Sequence, residues 1–167
     1  HDIRAQKIGF ILQEPFVFSG TIQENILYGN NDYKGFSEKQ LIQLLKKHDL
    51  MELLDRFPQG LRTHLSPELD TISLGQRQLV AFMRAVLRQP DILILDEATA
   101  NIDTVTEQLL ETLLEKLPKK TTRVIIAHRL NTIKNADHIF FINNARIVPA
   151  GSMEDALHLL MQEKRGS

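Results

Sequence analysis

Residues Ile92-Leu93-Ile94-Leu95-Asp96-Glu97 constrain this chain more than any other segment. Four consecutive apolar residues have no side to spare for water, so the run reads as a central strand of a parallel sheet, covered on both faces. Thr104 to Leu117 then repeats apolar residues at Val105, Leu109, Leu110, Leu113 and Leu114, the spacing of a helix, and Val124-Ile125-Ile126-Ala127 is a second β-branched run. Strand, helix, strand is the order of a parallel βαβ unit, which gives an α/β fold class. Asp96 and Glu97 then stand at the carboxyl end of a strand, where α/β sheets bind ligands. Adjacent strand residues point to opposite sides, so the two carboxylates can serve different partners: one suits a Mg²⁺ shell, the other an attacking water. His128 ends the second run and reaches the same crevice, and Gln13 follows the first short strand, Ile8 to Leu12. Taken singly, each reads as an ordinary turn or surface residue; their joint placement at three strand ends is the informative fact.

The segment before this unit is helical in pattern. Thr21-Ile22-Gln23-Glu24 and Ser37-Glu38-Lys39-Gln40 each pair a capping hydroxyl with an acid or amide three residues on, the signature of a reciprocal helix start. The first helix carries Ile22, Ile26 and Leu27 inward. The second runs through Leu41, Leu44 and Leu45 and on to Leu50, Leu53 and Leu54, until Pro58 and Gly60 break it. Ser73-Leu74-Gly75-Gln76 repeats the device and opens a helix burying Leu79, Val80, Phe82, Met83, Val86 and Leu87 before Pro90. The bland reading of Ser73 and Gln76 is a good helix start. A fixed helix N-terminus beside a glycine is also an anion site, because free N–H groups and the helix dipole favour phosphate. Residues 20–90 are thus expected to be mostly helical. Past the βαβ unit, Ile139 to Ile142 and Arg146 to Val148 read as strands joined by Asn143-Asn144, and Met153 to Met161 as a terminal helix.

With 20 Lys and Arg against 21 Asp and Glu, the chain has no basic excess of the kind that marks a nucleic-acid binder, so no nucleic acid is expected as partner. The absence of cysteine removes disulfide scaffolds and thiolate metal sites and suits a reducing compartment. Apolar runs such as Ile139-Phe140-Phe141-Ile142 fall far short of the roughly 18 to 20 residues of a membrane-spanning helix. The start His1-Asp2-Ile3-Arg4 carries no initiator Met and reads as a cut inside a longer protein.

Thr71-Ile72-Ser73-Leu74-Gly75-Gln76-Arg77 followed by Ile92 to Thr99 resembles the signature and Walker B motifs of the ATP-binding cassette (ABC) ATPases, and the resemblance extends over residues 8–160. The chain is similar to the C-terminal part of an ABC transporter nucleotide-binding domain, and Phe16 to Ile26 is similar to the exporter-type subfamily. The resemblance implies a partial P-loop NTPase (RecA-like) core with a parallel sheet, formed by residues 1–19 and 91–167, and an inserted helical subdomain, residues 20–90. It implies that Gln13 is the Q-loop glutamine, Ser73, Gly75 and Gln76 the signature, Asp96 the Walker B aspartate and Glu97 the catalytic glutamate. Asp103 matches the D-loop and His128 the switch histidine.

In that family two domains meet head to tail with ATP between the phosphate loop of one and the signature of the other. The expected cofactors are therefore ATP and Mg²⁺, and the expected partners a second nucleotide-binding domain and a transmembrane domain, at the cytoplasmic face of a membrane. Asp96 and Gln13 would serve the metal, Glu97 the water, and His128 the transferring phosphoryl group. Soluble relatives that act on DNA insert a long coiled coil between Q-loop and signature, whereas Gln13 and Ser73 are 60 residues apart. Relatives that act on ribosomes, and a truncated, non-hydrolysing protein that lends its signature surface to a partner, are also compatible with these motifs. Three departures stand out. Leu74 replaces a common glycine, Leu65 to Asp70 lacks the glycine-rich loop common in exporters, and no G-x-x-x-x-G-K-[ST] phosphate loop occurs in the chain. Without that loop the chain alone is expected to hydrolyse no ATP, and the strand that would carry it is expected between the His128 strand and the Ile139 strand, its loss exposing apolar surface.

Overall fold

The structure, a computed structural model, describes residues 7–66, 72–96, 103–127, 135–143 and 146–151, and beyond them 154, 155, 158 and 161. It divides into two compact units, His1–Ile126 and Ala127–Ser167.

In the first unit, β1 (Ile8–Ile11), β4 (Ile92–Asp96) and β5 (Thr122–Ile126) form a parallel sheet in the order β1-β4-β5. Ile11 pairs with Leu95 and Asp96 with Ile126, so the three strands end together. The apolar run at 92–95 is the central strand, as the sequence indicates. Its burial departs from expectation: Leu93 and Leu95 are buried, Ile94 is half-buried and Ile92 is exposed. Phe10, Ile94 and Val124 are in register across the sheet, and Phe10, at 56% exposure, and Val124 face solvent. One face is therefore covered and the other presents apolar side chains to water, which is why burial alternates where both faces were expected to be dry.

The covered face packs on helices. Between β1 and β4 lie α1 (Ile22–Leu27), α2 (Glu38–Lys47) and α3 (Leu74–Leu87), 3-10 turns at Asn31–Tyr33, Met51–Arg56 and Gly60–Arg62, and a two-stranded ribbon of β2 (Gly20–Thr21) and β3 (His64–Leu65); α4 (Thr104–Glu115) joins β4 to β5. The expected starts hold: Thr21 with Glu24, Ser37 with Gln40 and Ser73 with Gln76 all form capping boxes. Ile22 and Ile26 are buried, Leu27 only partly. The six expected core residues of α3 are all buried and join Ile11, Leu93, Leu95 and the α4 residues Leu109, Leu110, Leu113 and Leu114 in one apolar cluster. Gly9 leaves room for its neighbours on β4 and in the turn after α3, since a Cβ there would come within 3.0 Å of Leu93 and 3.2 Å of Pro90.

Two expectations need correction. The helical period read from Leu41 to Leu54 is two elements. Asp49 adopts a left-handed conformation, with φ 56°, and the N–H groups of Asp49 and Leu50 donate to Lys46 and Leu45 carbonyls. That is a Schellman stop, and it ends α2 well before Pro58; Leu53 and Leu54 are then buried from a 3-10 turn. Likewise α4 stops at Glu115 and leaves Val105 exposed, because Val105 lies off the stripe made by Leu109, Leu110, Leu113 and Leu114.

In the second unit, β6 (Ile139–Asn143) pairs antiparallel with β7 (Arg146–Ala150), Asn143 opposite Arg146. Most of the expected helix at 153–161 lies outside the described residues. No helix of the described residues is long and apolar enough to cross a membrane.

Candidate functional site

Of the expected residues, Asp96 and Gln13 are described at the common end of the three parallel strands. Gln13 stands two residues past Ile11, exposed. Asp96 is the last residue of β4 and half-buried. Glu97 and His128, the expected catalytic pair, lie outside the described residues.

The start of α3 is built from side chains. Ser73 N–H donates to Gln76 Oε1 at 2.9 Å, and Gln76 N–H to Ser73 Oγ at 3.2 Å. Gln76 Nε2 donates to the Arg56 carbonyl at 2.7 Å, so both ends of its amide are engaged in holding the helix start. Ser73 itself is exposed, and its cap differs from the other two. Thr21 and Ser37 donate their hydroxyl protons to Glu24 and Gln40, whereas among the described residues the Ser73 hydroxyl has no such acceptor. Gly75 is buried in the first turn.

Asp103 caps α4, accepting from Thr106 N–H at 3.0 Å and Thr106 Oγ1 at 2.6 Å. The Thr106 hydroxyl, then its N–H, and more weakly the charge of Arg56 lower its pKa from the usual 3.8. Arg56 serves the start of α3 through its carbonyl, which accepts from Gln76.

These groups suit a phosphate and its metal in part. Free N–H groups at an exposed helix start favour an anion. Among the described residues no cluster of His, Cys, Asp and Glu could cage a metal alone; Asp96 by itself fits a Mg²⁺ ion, which keeps waters and takes most of its other ligands from phosphate.

Comparison with known proteins decides the family. The sequence model described as ABC transporter matches residues 1–100. The chain belongs to the ABC transporter family. A multidrug resistance-like ATP-binding protein of Buchnera aphidicola is 41% identical over 166 residues, 99% of this chain and 27% of that protein. ABC transporter B family member 13 of Arabidopsis thaliana is 39% identical over 154 residues, 92% of this chain and 12% of the relative. A bacterial Atm1-family ABC exporter, solved with ATP bound, superposes with a TM-score of 0.77 at 30% identity, covering 97% of this chain and 29% of that one. The chain spans about a quarter of the length of its bacterial relatives. The exporter-type resemblance and the α/β fold with a parallel sheet are both borne out.

Within this ABC transporter chain, several residues that the sequence reading passed over support the site. Arg56 is one. Gln78, wholly buried in α3, donates from Nε2 to the carbonyls of Leu12 and Gln13 at 3.1 and 2.8 Å. Arg84, farther along α3, donates to the Phe16 carbonyl at 2.9 Å and lies 5.6 Å from the Tyr28 ring centre. Burial, reinforced by the like charge of Arg88, lowers its pKa to about 10. A polar residue within an otherwise buried stripe was the available signal for Gln78 and Arg84.

Proposed function

We propose that this chain is part of the ATP-hydrolysing motor of an exporter-type ABC transporter, acting at a head-to-tail pair of nucleotide-binding domains beneath a transmembrane partner at the cytoplasmic face of a membrane. The reading is carried by the exposed, reciprocally capped start of α3 in a chain whose central strand ends in Asp96. Family membership and the ATP-bound exporter as structural neighbour support it.

In this reading Ser73 and the first N–H groups of α3 bind the terminal phosphate of a nucleotide held by the opposing domain. The fixed helix end needs no rearrangement to do so. Gly75 and Gln76 keep that end in shape, the latter through Ser73 and Arg56. Asp96 helps hold Mg²⁺, which supplies charge neutralisation at the phosphates when bound. Glu97, the next residue in sequence, accepts a proton from the attacking water. His128 steadies the phosphoryl oxygens, Gln13 follows the metal or water from its loop, and Asp103 shapes the domain interface from the cap of α4.

Because the chain contains no phosphate loop, it depends on one supplied from elsewhere, and alone it binds Mg-ATP weakly and turns none over. Titration calorimetry of the 167-residue chain against Mg-ATP tests this, and micromolar affinity would overturn it. In an assembly that provides the loop, Glu97→Gln retains nucleotide binding and abolishes turnover; a normal ATPase rate would sink the general-base role.

A further inference from the structure

The loop that carries Gln13 is neither helix nor strand from Leu12 to Ser19. Side chains from two helices hold it. Gln78 takes the Leu12 and Gln13 carbonyls, Arg84 the Phe16 carbonyl, and Asn25 both the N–H and the carbonyl of Phe18.

We propose that Gln78 is a positioning residue for Gln13: its buried carboxamide clamps the carbonyls of Leu12 and Gln13, so that the start of this loop moves as one body with the helix that begins at Ser73. What Gln13 does for a nucleotide rests on the function proposed above; the clamp does not.

The orientation of the Gln78 amide is chemically forced. Carbonyl oxygens only accept, so Nε2 faces them and both its hydrogens are used. Oε1 is turned the other way, buried, with no donor among the described residues. A side chain present only to fill space would not carry an acceptor in such a place, since methionine has nearly the same shape and no polar atom to desolvate. The two bonds to the loop account for a carboxamide here. Gln78 also lies only about 6 Å along the helix axis from Leu74, so a small shift of the helix start reaches the loop with little bending in between.

Hydrogen exchange on the full chain tests the clamp. In Gln78→Met the amides of Leu12, Gln13, Glu14 and Phe16 should exchange roughly tenfold faster, the factor expected for losing two modest hydrogen bonds, while α2 (Glu38–Lys47) stays unchanged. Gln78→Glu should fall between, because a carboxyl kept protonated by burial can donate one hydrogen to one carbonyl. Wild-type exchange in the loop of Gln78→Met, or a uniform acceleration that includes α2, would overturn the proposal in favour of simple packing. Should the variants not fold, NMR of the wild type decides: slowly exchanging Gln78 amide protons with scalar coupling to the Leu12 and Gln13 carbonyl carbons support the clamp, and fast-exchanging ones overturn it. If the clamp holds while Gln13→Ala alters neither ATP affinity nor turnover in the complete assembly, the role given to Gln13 fails and the clamp stands.

Discussion

Arg84 donates through Nε to the carbonyl of Asn25, 2.8 Å away, and so places a cation at the carboxyl end of α1. No carboxylate among the described residues pairs with this half-buried guanidinium; the negative end of a helix and the Phe16 carbonyl take that part. Arg88 repeats the arrangement one turn later, donating to the Tyr28 carbonyl at 3.0 Å. Arg84→Met should destabilise the fold by about 2 to 3 kcal/mol, because charge-assisted bonds to two main-chain carbonyls are lost. Arg84→Lys should recover little, since an ammonium cannot span both acceptors. As a control, Arg62→Met, which removes the exposed pair with Glu38, should cost under about 0.5 kcal/mol. Urea midpoints of the three variants check the ranking, and equal midpoints for Arg84→Met and Arg62→Met would refute it.

Ser73→Ala removes the acceptor for Gln76 N–H and should cost about 1 kcal/mol, with Ser73→Asn nearly neutral because its side chain can still cap. The same pair separates structure from function. If the Ser73 hydroxyl proton, which has no acceptor among the described residues, meets phosphate, Ser73→Asn should keep stability yet lose ATP turnover in the complete assembly. Unchanged turnover in a stable Ser73→Asn protein would confine Ser73 to helix capping.

The carboxylates at two helix starts give the fold an acid limit. Glu24 lies below its usual 4.5 because of the Thr21 N–H and hydroxyl, and Asp103 below its usual 3.8 because of Thr106. In both cases the folded state binds fewer protons than the unfolded state. The stabilisation is therefore fully present above the unfolded values and is lost as pH falls through the lower folded ones. A urea series between about pH 5 and pH 2 should show stability falling on acidification, with a shallower slope in Asp103→Asn. An unchanged slope in that variant would remove Asp103 as a contributor.

How much of this was legible beforehand depended on the range of the interactions involved. Capping boxes lie within four consecutive residues, so Thr21, Ser37 and Ser73 could be read directly. The Schellman stop at Asp49 escaped because an aspartate in the left-handed region has no composition cue as strong as glycine, and the leucines beyond it keep a helical rhythm. The bonds of Gln78 to Gln13 and of Arg84 to Phe16 join residues more than sixty positions apart, and no local pattern announces them. The strand ends were legible through Asp96 and Gln13, since a short apolar run fixes where a strand must stop. The bare sheet face was not foreseen, because the run at 92–95 itself suggested cover on both sides.

That face has its own consequence. Phe10, Val124 and Ile126 are exposed on one side of the sheet, and large apolar groups gathered on one face favour association. Sedimentation of the 167-residue chain should show association that grows with concentration and weakens in Phe10→Lys. A compact monomer at all concentrations would show that the patch is harmless in solution.

The reciprocal cap at Ser73 has a further meaning for recognition. Because the first turn of α3 is held by its own capping box, a phosphate bound there in the proposed reading would find its donors already aligned and lose little conformational entropy in arranging them. Selectivity at this edge then depends on what else the visitor must touch, and the helix end itself would greet any tetrahedral oxyanion of the right size alike.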